Sequence, residues 1–244
     1  MKNGIIYILL SIILVALWQY AGSSNQTARL LLSSPSLIVQ YFSENTSELL
    51  LATKTTLIEA TTGLLIASIF SFGMMILCFY IPKLMDFIMP IMIVSQVIPL
   101  IVLAPFFIIL LGIGISSKIA MAALISFFPI FINFGQGYKS ISQNTHDLSF
   151  VLNTSKSFRI KHIYFPLALP NIITGLKISS SLSIIGAIVA EFSGAEIGLG
   201  KNLYISAIRL EPDLMMTSLL LSIIIGLMFY SLFLLLEKKL LRWQ

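Results

Sequence analysis

Charge is scarce in this sequence of 244 residues, because Asp, Glu, Lys and Arg make up only 10% of it. A soluble globular chain carries about 25% charged residues. Hydrophobic residues make up 57%, and the mean hydropathy is +0.98. So few polar residues cannot cover a water-facing surface, and lipid must therefore solvate much of the chain. The composition predicts an all-α, polytopic membrane protein with no soluble domain large enough to hold a catalytic core.

Residues that bind metals or phosphates are also few. Cys78 is the single cysteine, so an intrachain disulfide cannot form. His146 and His162 have no carboxylate or thiol at ligand spacing, and we therefore expect no metal site. The best match to a phosphate-binding loop, residues 198–201, lacks the earlier glycine and the following hydroxyl residue. We expect no cofactor in this chain and no ATP hydrolysis by it. An intramembrane enzyme is also disfavoured, because paired Asp, Ser–His or metal-ligand sets are missing from the apolar stretches.

Six apolar stretches approach or exceed the length of about 20 residues that a spanning helix needs. They are residues 5–20, 57–81, 87–111, 119–134, 172–190 and 215–236. The third contains Pro90, Pro99 and Pro105, and we expect it to be kinked or broken. That break is either a helix irregularity or a bend that lines a pathway. Residues 22–56 are too few for a domain, and no repeat is visible, so we expect one transmembrane domain over residues 1–244.

The net charge of +5 could suggest nucleic acid as a partner, but the basic residues lie between the apolar stretches rather than on one face. With the amino terminus in the cytoplasm, ten of the 15 Lys and Arg residues fall on the inner side. This bias predicts that both termini are cytoplasmic and that nucleic acid is not a partner. The first stretch also resembles a signal peptide, but its apolar run is slightly long and no Ala-x-Ala site follows. We expect it to be retained.

The longest predicted inner loop, residues 135–171, has the pattern of a helix–turn–helix. Asn144 and Asp147 predict the capped start of a first short helix. Asn153 suits its end, because asparagine tolerates a left-handed backbone better than most residues do. Thr154 or Ser155 can cap a second helix over residues 157–165. We expect Pro166 to end that second helix.

The first of these helices carries a short apolar stripe, and the second adds an aromatic residue. The residues concerned are Leu148, Val151, Leu152 and Phe158. A capped hairpin in water needs another surface to bury such side chains. One alternative is anionic lipid, attracted by Lys156, Arg159 and Lys161. The other is a soluble protein partner.

This loop resembles the signature loop of permease subunits of binding-protein-dependent ABC importers. That signature reads Glu-Ala-Ala, three residues, Gly, nine residues, Ile, one residue, Leu-Pro. The matching positions here are Asp147, Leu148, Ser149, Asn153, Ile163, Phe165 and Pro166. The spacing is intact although five of these seven residues differ from the signature. Asp keeps the charge of Glu, and Asn keeps access to the left-handed turn.

The resemblance extends along nearly the whole chain, to the nitrate, sulfonate and taurine branch of that family. The segments that carry it are residues 34–36, 56–63, 98–105, 112–119, 167–170, 190–192 and 240–243. Glu59 stands where this branch usually has Arg. The resemblance implies a type I importer permease in a bacterial inner membrane, a substrate that is a small solute of the sulfonate, nitrate, taurine or vitamin-precursor kind, and a permease homodimer in lipid. Its implied partners are an ABC ATPase subunit that uses the ATP and an external substrate-binding protein.

The resemblance, together with the polar and proline residues within the apolar stretches, suggests roles for individual residues. The expected ATPase contacts are Asp147, Leu148, Ser149, Val151, Leu152, Asn153, Phe158 and Pro166. The expected pathway candidates are Gln96, Pro99, Pro105, Ser180, Ser183 and Glu191. Glu191 either lines the outer part of the pathway or braces Lys201 or Arg209, and the serines either line the pathway or bond across helices. The alternative function is an ion-coupled carrier without an ATPase, which predicts mid-helix acidic residues and inverted repeats, neither of them evident.

Overall fold

The computed structural model describes residues 2–24, 32–151 and 153–241, and every regular element in these ranges is helical. In chain order the helices are α1 (Lys2–Ser23), α2 (Pro35–Glu44), α3 (Thr46–Tyr80), α4 (Pro82–Ser95), α5 (Leu100–Leu111), α6 (Ile115–Lys139), α7 (Gln143–Val151), α8 (Lys156–Arg159), α9 (Phe165–Glu191), α10 (Leu199–Arg209) and α11 (Pro212–Leu240). A π-helical turn, Ile160–Tyr164, joins α8 to α9. The prediction of an all-α membrane protein is confirmed.

Four of the described helices are long and apolar enough to cross a membrane: α3, α6, the continuous helix Lys156–Glu191 and α11. Two shorter apolar helices, Leu9–Ser23 and Ile101–Leu111, fall in the first and third predicted spans. α6, the continuous helix Lys156–Glu191 and α11 extend beyond their apolar stretches at both ends, and α3 does so at its start, because helical hydrogen bonds continue through polar residues. As a result, the predicted loop 135–171 shortens to residues 140–155.

The third predicted span, residues 87–111, is two helices and not one. α4 ends at Ser95, and α5 begins at Leu100. Pro99 lies between them with an extended backbone, φ −61° and ψ 117°. Proline lacks the N–H that would continue the helix, and it disfavours a helical backbone at the residue before it. Pro90 and Pro105 lie inside α4 and α5 without ending them, so the break expected for this stretch occurs at Pro99 alone.

The centre of the bundle is formed by α6 and α9, which pack along each other and against α3. Small residues allow this close approach. Gly63 of α3 and Gly186 of α9 both lie against Ala122 of α6, where an added Cβ would come within 2.6 Å and 2.9 Å of its atoms. Small residues at helix contacts are typical of membrane bundles, since packing rather than the hydrophobic effect holds the helices together there.

Candidate functional site

The α7–α8 hairpin, residues 143–159, forms at the end of the bundle where α3 and α6 finish and α9 begins. Asn153 has φ 47°, so the prediction of a left-handed residue at the turn is confirmed. Ser155 caps the second helix, because its hydroxyl accepts a hydrogen bond from the Phe158 N–H at 3.2 Å. The hairpin is therefore held by its own caps and turn.

The start of the hairpin differs from the prediction. α7 begins at Gln143, so Asn144 lies inside the helix and does not cap it. The Ser142 hydroxyl instead accepts a hydrogen bond from the Thr145 N–H at 3.3 Å. Asp147 accepts from the Gln143 side-chain amide at 3.1 Å. Ser142 directly precedes the first helical residue, so its short hydroxyl side chain reaches the free N–H groups of the first turn.

The prediction that Pro166 ends the second helix is wrong. The helix continues without interruption from Lys156 to Glu191. In the π-helical turn before α9, the Phe165 N–H donates to the Ile160 carbonyl, five residues back. This widened turn precedes Pro166, which then stands in the first turn of an α-helical segment, where its missing N–H costs little. The second helix of the hairpin is therefore continuous with α9.

The residues predicted to contact the ATPase divide into two groups. Leu148 is 59% exposed, Val151 is 81% exposed and Phe158 is 46% exposed, although all three are apolar. Asp147 and Asn153 are also exposed, Pro166 is half-buried, and Leu152 lies outside the described residues. Ser149, in contrast, is buried, with its hydroxyl 3.2 Å from the Tyr164 hydroxyl. The structure thus places Ser149 inside the hairpin and not on its surface.

Contacts that the sequence did not predict anchor the hairpin to the bundle. Lys156 Nζ donates a hydrogen bond of 2.6 Å to the Tyr80 carbonyl and lies 5.6 Å from the centroid of the Tyr80 ring. Tyr164 stacks on Phe79 and meets Tyr138 edge-on, with both centroid distances 6.2 Å. These residues connect the hairpin to the last turns of α3 and α6. The sequence signal that could have revealed this anchor is the presence of Phe79, Tyr138 and Tyr164 near the ends of three helices.

A buried group of polar residues, the carboxyl cluster, lies at the other end of α9. It consists of Thr56, Glu59, Lys118, Glu191 and Gly200. Glu191 is 1% exposed and accepts hydrogen bonds from the Thr56 hydroxyl at 2.6 Å and the Gly200 N–H at 2.5 Å. The Thr56 hydroxyl also accepts from the Leu199 N–H at 3.0 Å. Glu191 and Thr56 thus bind the first N–H groups of α10, the part of a helix that favours a negative charge.

Glu191 does not brace either basic residue expected for it. Lys201 donates to the Glu196 carbonyl, and Arg209 lies 4.0 Å from Glu211. The basic member of the cluster is Lys118, which is 4% exposed. Its ammonium group donates to three backbone carbonyls, those of Ile113 at 2.5 Å, Gly114 at 3.1 Å and Gly194 at 3.5 Å.

Glu59 is 2% exposed, its carboxyl shares a side-chain hydrogen bond with the Glu191 carboxyl, and it interacts electrostatically with Lys118. Its Oε2 atom is buried and makes no hydrogen bond to any residue that the structure describes. Beside it is a cavity of about 330 Å³, the Glu59 cavity, bounded by α3, the α5–α6 turn and the α9–α10 loop. Its lining residues are Thr55, Glu59, residues 113–115, Lys118 and residues 195–197.

The remaining pathway candidates do not gather at this cavity. Gln96 lines a separate cavity of about 340 Å³ next to the break between α4 and α5. Pro99 forms that break, and Pro105 lies on an exposed face of α5. Ser180 and Ser183 are fully buried, and their hydroxyls donate to carbonyls of their own helix at 2.7 Å and 2.8 Å. These two serines therefore belong to the packing of α9.

Comparison with known proteins assigns the chain to a family. Residues 63–242 match the family described as binding-protein-dependent transport system inner membrane component. A probable ABC transporter permease protein of Haemophilus influenzae is 30% identical over 89% of each chain. A formylaminopyrimidine transport permease protein of Halalkalibacterium halodurans is 30% identical over 78% of this chain and 76% of its own. A Bacillus subtilis permease protein assigned to aliphatic sulfonates transport is 26% identical over 97% of this chain and 87% of its own.

The matched residues 63–242 contain the signature-like hairpin and most of the helical bundle. The chain belongs to the binding-protein-dependent transport system inner membrane components, the multi-pass permease subunits of ABC importers.

Proposed function

We propose that this chain forms the translocation pathway for a small solute and is driven by a separate ATPase subunit that docks on the α7–α8 hairpin. The observation that carries the proposal is the combination of exposed apolar side chains and firm anchorage in this hairpin. Leu148 and Val151 are exposed, while Lys156 and Tyr164 tie the hairpin to α3 and α6. A surface that is apolar, exposed and anchored suits a docking site.

Docking explains the hairpin better than attachment to lipid does. An interfacial helix needs one broad apolar face along its length. α7 has only nine residues, and its polar Asp147 and Asn144 are exposed together with Leu148 and Val151. A groove in a partner protein can enclose two such side chains, and burial of each stabilises the complex by about 1.5–3 kcal/mol.

The proposal includes the other partners and the orientation of the chain. An external substrate-binding protein delivers the solute, a second copy of the permease completes the pathway, and both termini lie in the cytoplasm. The ATPase subunit uses the ATP, and this chain holds no cofactor. Closure of the ATPases moves the docked hairpins and switches the pathway between two rigid-body states. The uninterrupted helix Lys156–Glu191 gives that motion a direct route across the bundle.

Family membership favours this mechanism over an ion-coupled carrier without an ATPase. The names of the relatives give solutes that range from aliphatic sulfonates to formylaminopyrimidine. We propose a small solute from this range, either a sulfonate, nitrate or taurine or a vitamin precursor.

Co-purification with the ATPase encoded beside this chain tests the docking proposal. We expect the double variant Leu148→Ser, Val151→Ser to weaken ATPase binding about tenfold or more, because two apolar contacts are lost. Ile208→Ser is the matched control, since Ile208 is 64% exposed but lies on α10 at the other end of the bundle. Unchanged recovery of the ATPase with the double variant would show that the hairpin is not the docking site.

A further inference from the structure

The break between α4 and α5 lies at the middle of an apolar stretch of membrane length, because Pro99 is the central residue of 87–111. Across the break the N–H groups of Gln96, Val97 and Ile98 donate to carbonyls three residues back, so the α-helical pattern is interrupted. Irregular backbone at membrane depth is tolerated where protein buries it or where it lines a water-filled cavity, and not where it meets lipid. Val97 is 80% exposed, so this chain does not bury the break. The break therefore faces the interior of the assembled transporter.

The cavity of about 340 Å³ beside this break, the Gln96 cavity, has the volume of a small-molecule site. Its walls include Phe128 of α6 and Leu182 of α9. These two residues lie near the midpoints of the apolar stretches 119–134 and 172–190. The cavity is therefore at the same depth as the break, near the middle of the membrane.

The lining of the Gln96 cavity is uncharged. Every lining residue that the structure describes is apolar except Ser95 and Gln96, and neither of these carries a charge. A charged solute would lose its hydration in the cavity without meeting a counter-charge in the wall, which is unfavourable. The Phe128 side chain adds a flat apolar ring to the wall. These walls favour an uncharged solute with a flat ring.

Gln96 supplies the side-chain amide of the cavity. The side chain is exposed, and its amide makes no hydrogen bond to the part of the chain that the structure describes. The Ser95 hydroxyl, in contrast, donates to the Met92 carbonyl at 2.8 Å. An amide presents N–H donors beside a carbonyl acceptor. In nucleic-acid recognition the same group holds adenine by two hydrogen bonds, one to a ring nitrogen and one to the amino group beside it.

We infer that the Gln96 cavity binds an uncharged nitrogen heterocycle whose edge carries an amino group beside a ring nitrogen, and that the Gln96 amide forms two hydrogen bonds with this edge. This inference rests on the proposed importer function and narrows its solute. Sulfonate, nitrate and taurine all carry charged groups, whereas a vitamin precursor of the heterocyclic kind suits the uncharged walls and the free amide.

Equilibrium titration of the purified full-length permease in lipid nanodiscs tests the inference, with cytosine and methanesulfonate as probes. We expect cytosine to bind and methanesulfonate not to bind. Gln96→Leu keeps a side chain of similar size but removes both the donor and the acceptor, so we expect the Kd for cytosine to rise about tenfold or more. Gln136→Leu is the matched control, because Gln136 is exposed on α6 and does not line the cavity, and it should leave the Kd unchanged.

Three outcomes would overturn the inference: binding of methanesulfonate as tight as that of cytosine, equal Kd values of cytosine for the wild type and Gln96→Leu, or no binding of either probe. Recovery of the ATPase with Gln96→Leu shows that the variant is folded. If the ATPase co-purifies normally while neither probe binds the wild type, the importer proposal stands and the solute class is wrong. Failure of the docking proposal would instead appear as unchanged ATPase recovery with the variant Leu148→Ser, Val151→Ser.

Discussion

The hairpin end and the carboxyl end of the bundle lie about 40 Å apart along α9, and they are held together by different kinds of contact. At the hairpin end, Phe79, Tyr138 and Tyr164 pack as rings beside methionines, and apolar side chains remain exposed. At the carboxyl end, Glu191 and Lys118 are buried, and each is held by hydrogen bonds to fixed backbone atoms.

This difference assigns a mechanical role to each end. Aromatic and methionine contacts are adaptable, because they have little directional preference and the thioether side chain bends easily. Hydrogen bonds between buried charges and backbone groups are directional and costly to break. We therefore expect the hairpin end to yield when a partner moves it and the carboxyl end to hold α10 in place.

Adding one methyl group at each end should have unequal effects on stability. A Cβ on Gly200, near the start of α10, would lie 2.3 Å from the Ile188 carbonyl oxygen, which cannot move without its helix. We expect Gly200→Ala to lower the free energy of unfolding by about 3 kcal/mol, the upper end for an overpacked site. A Cβ on Gly135 would meet the flexible end of Met89 at 2.7 Å. Gly135→Ala should be almost neutral, because Met89 can turn away and alanine favours the helix.

Denaturant or thermal unfolding in detergent measures both variants. Gly226→Ala serves as the common control, since no atom lies within 4 Å of its added Cβ. Equal losses for Gly200→Ala and Gly135→Ala would show that the two ends are packed with the same rigidity, and the contrast would then be wrong.

Removing the acceptor from the carboxyl cluster should have the next largest effect. Glu191→Leu leaves the Gly200 N–H and the Thr56 hydroxyl without their acceptor, and we expect a loss of about 2 kcal/mol. Glu191→Gln should lose less than about 1 kcal/mol, because an amide can accept from Gly200 and donate to Thr56. Thermal unfolding of the two variants side by side gives the comparison. If Leu and Gln are equally well tolerated, the hydrogen bonds at this end do not hold α10.

The sequence predicted the positions of the long helices because apolar runs of membrane length leave few alternatives. Its errors lie at positions where local hydrogen bonds determine whether a helix ends or continues. Three prolines in residues 87–111 looked equivalent, but only Pro99 separates two helices. Pro166 looked like a helix end, yet the π-helical turn carries the helix past it. Whether a proline ends a helix depends on how the carbonyl groups of the preceding turn are hydrogen-bonded. A residue pattern does not contain that information.

The hairpin was easier to predict than the carboxyl cluster for a related reason. Asn153 and Ser155 act on neighbouring residues, so their types alone indicated the turn and the cap. Thr56 and Glu191 are 135 positions apart, and their hydrogen bond follows from the packing of α3 against α9. Glu59 was noticed as an unusual residue, but its contact with Glu191 and its adjoining cavity exist only in three dimensions.

The smallest expected effect on stability concerns Lys156, the residue that ties the hairpin to α3. Lys156 is exposed, so removal of its hydrogen bond to the Tyr80 carbonyl and its contact with the Tyr80 ring should cost less than about 1 kcal/mol. Lys118→Met, in contrast, removes a buried ammonium group from three carbonyls and from beside two carboxyl groups, and it should cost more.

Lys156→Met should instead impair coupling, because a hairpin detached from α3 can still bind the ATPase but passes less of its motion to the bundle. We expect normal recovery of the ATPase together with a severalfold weaker stimulation of ATP hydrolysis by the loaded substrate-binding protein. Lys156→Arg keeps both the donor and the cation, and it should restore most of the stimulation. Full stimulation in Lys156→Met would mean that the aromatic contacts of Tyr164 with Phe79 and Tyr138 are enough to carry the motion. The adaptable end would then depend on ring packing alone, and the contrast with the hydrogen-bonded carboxyl end would be sharper still.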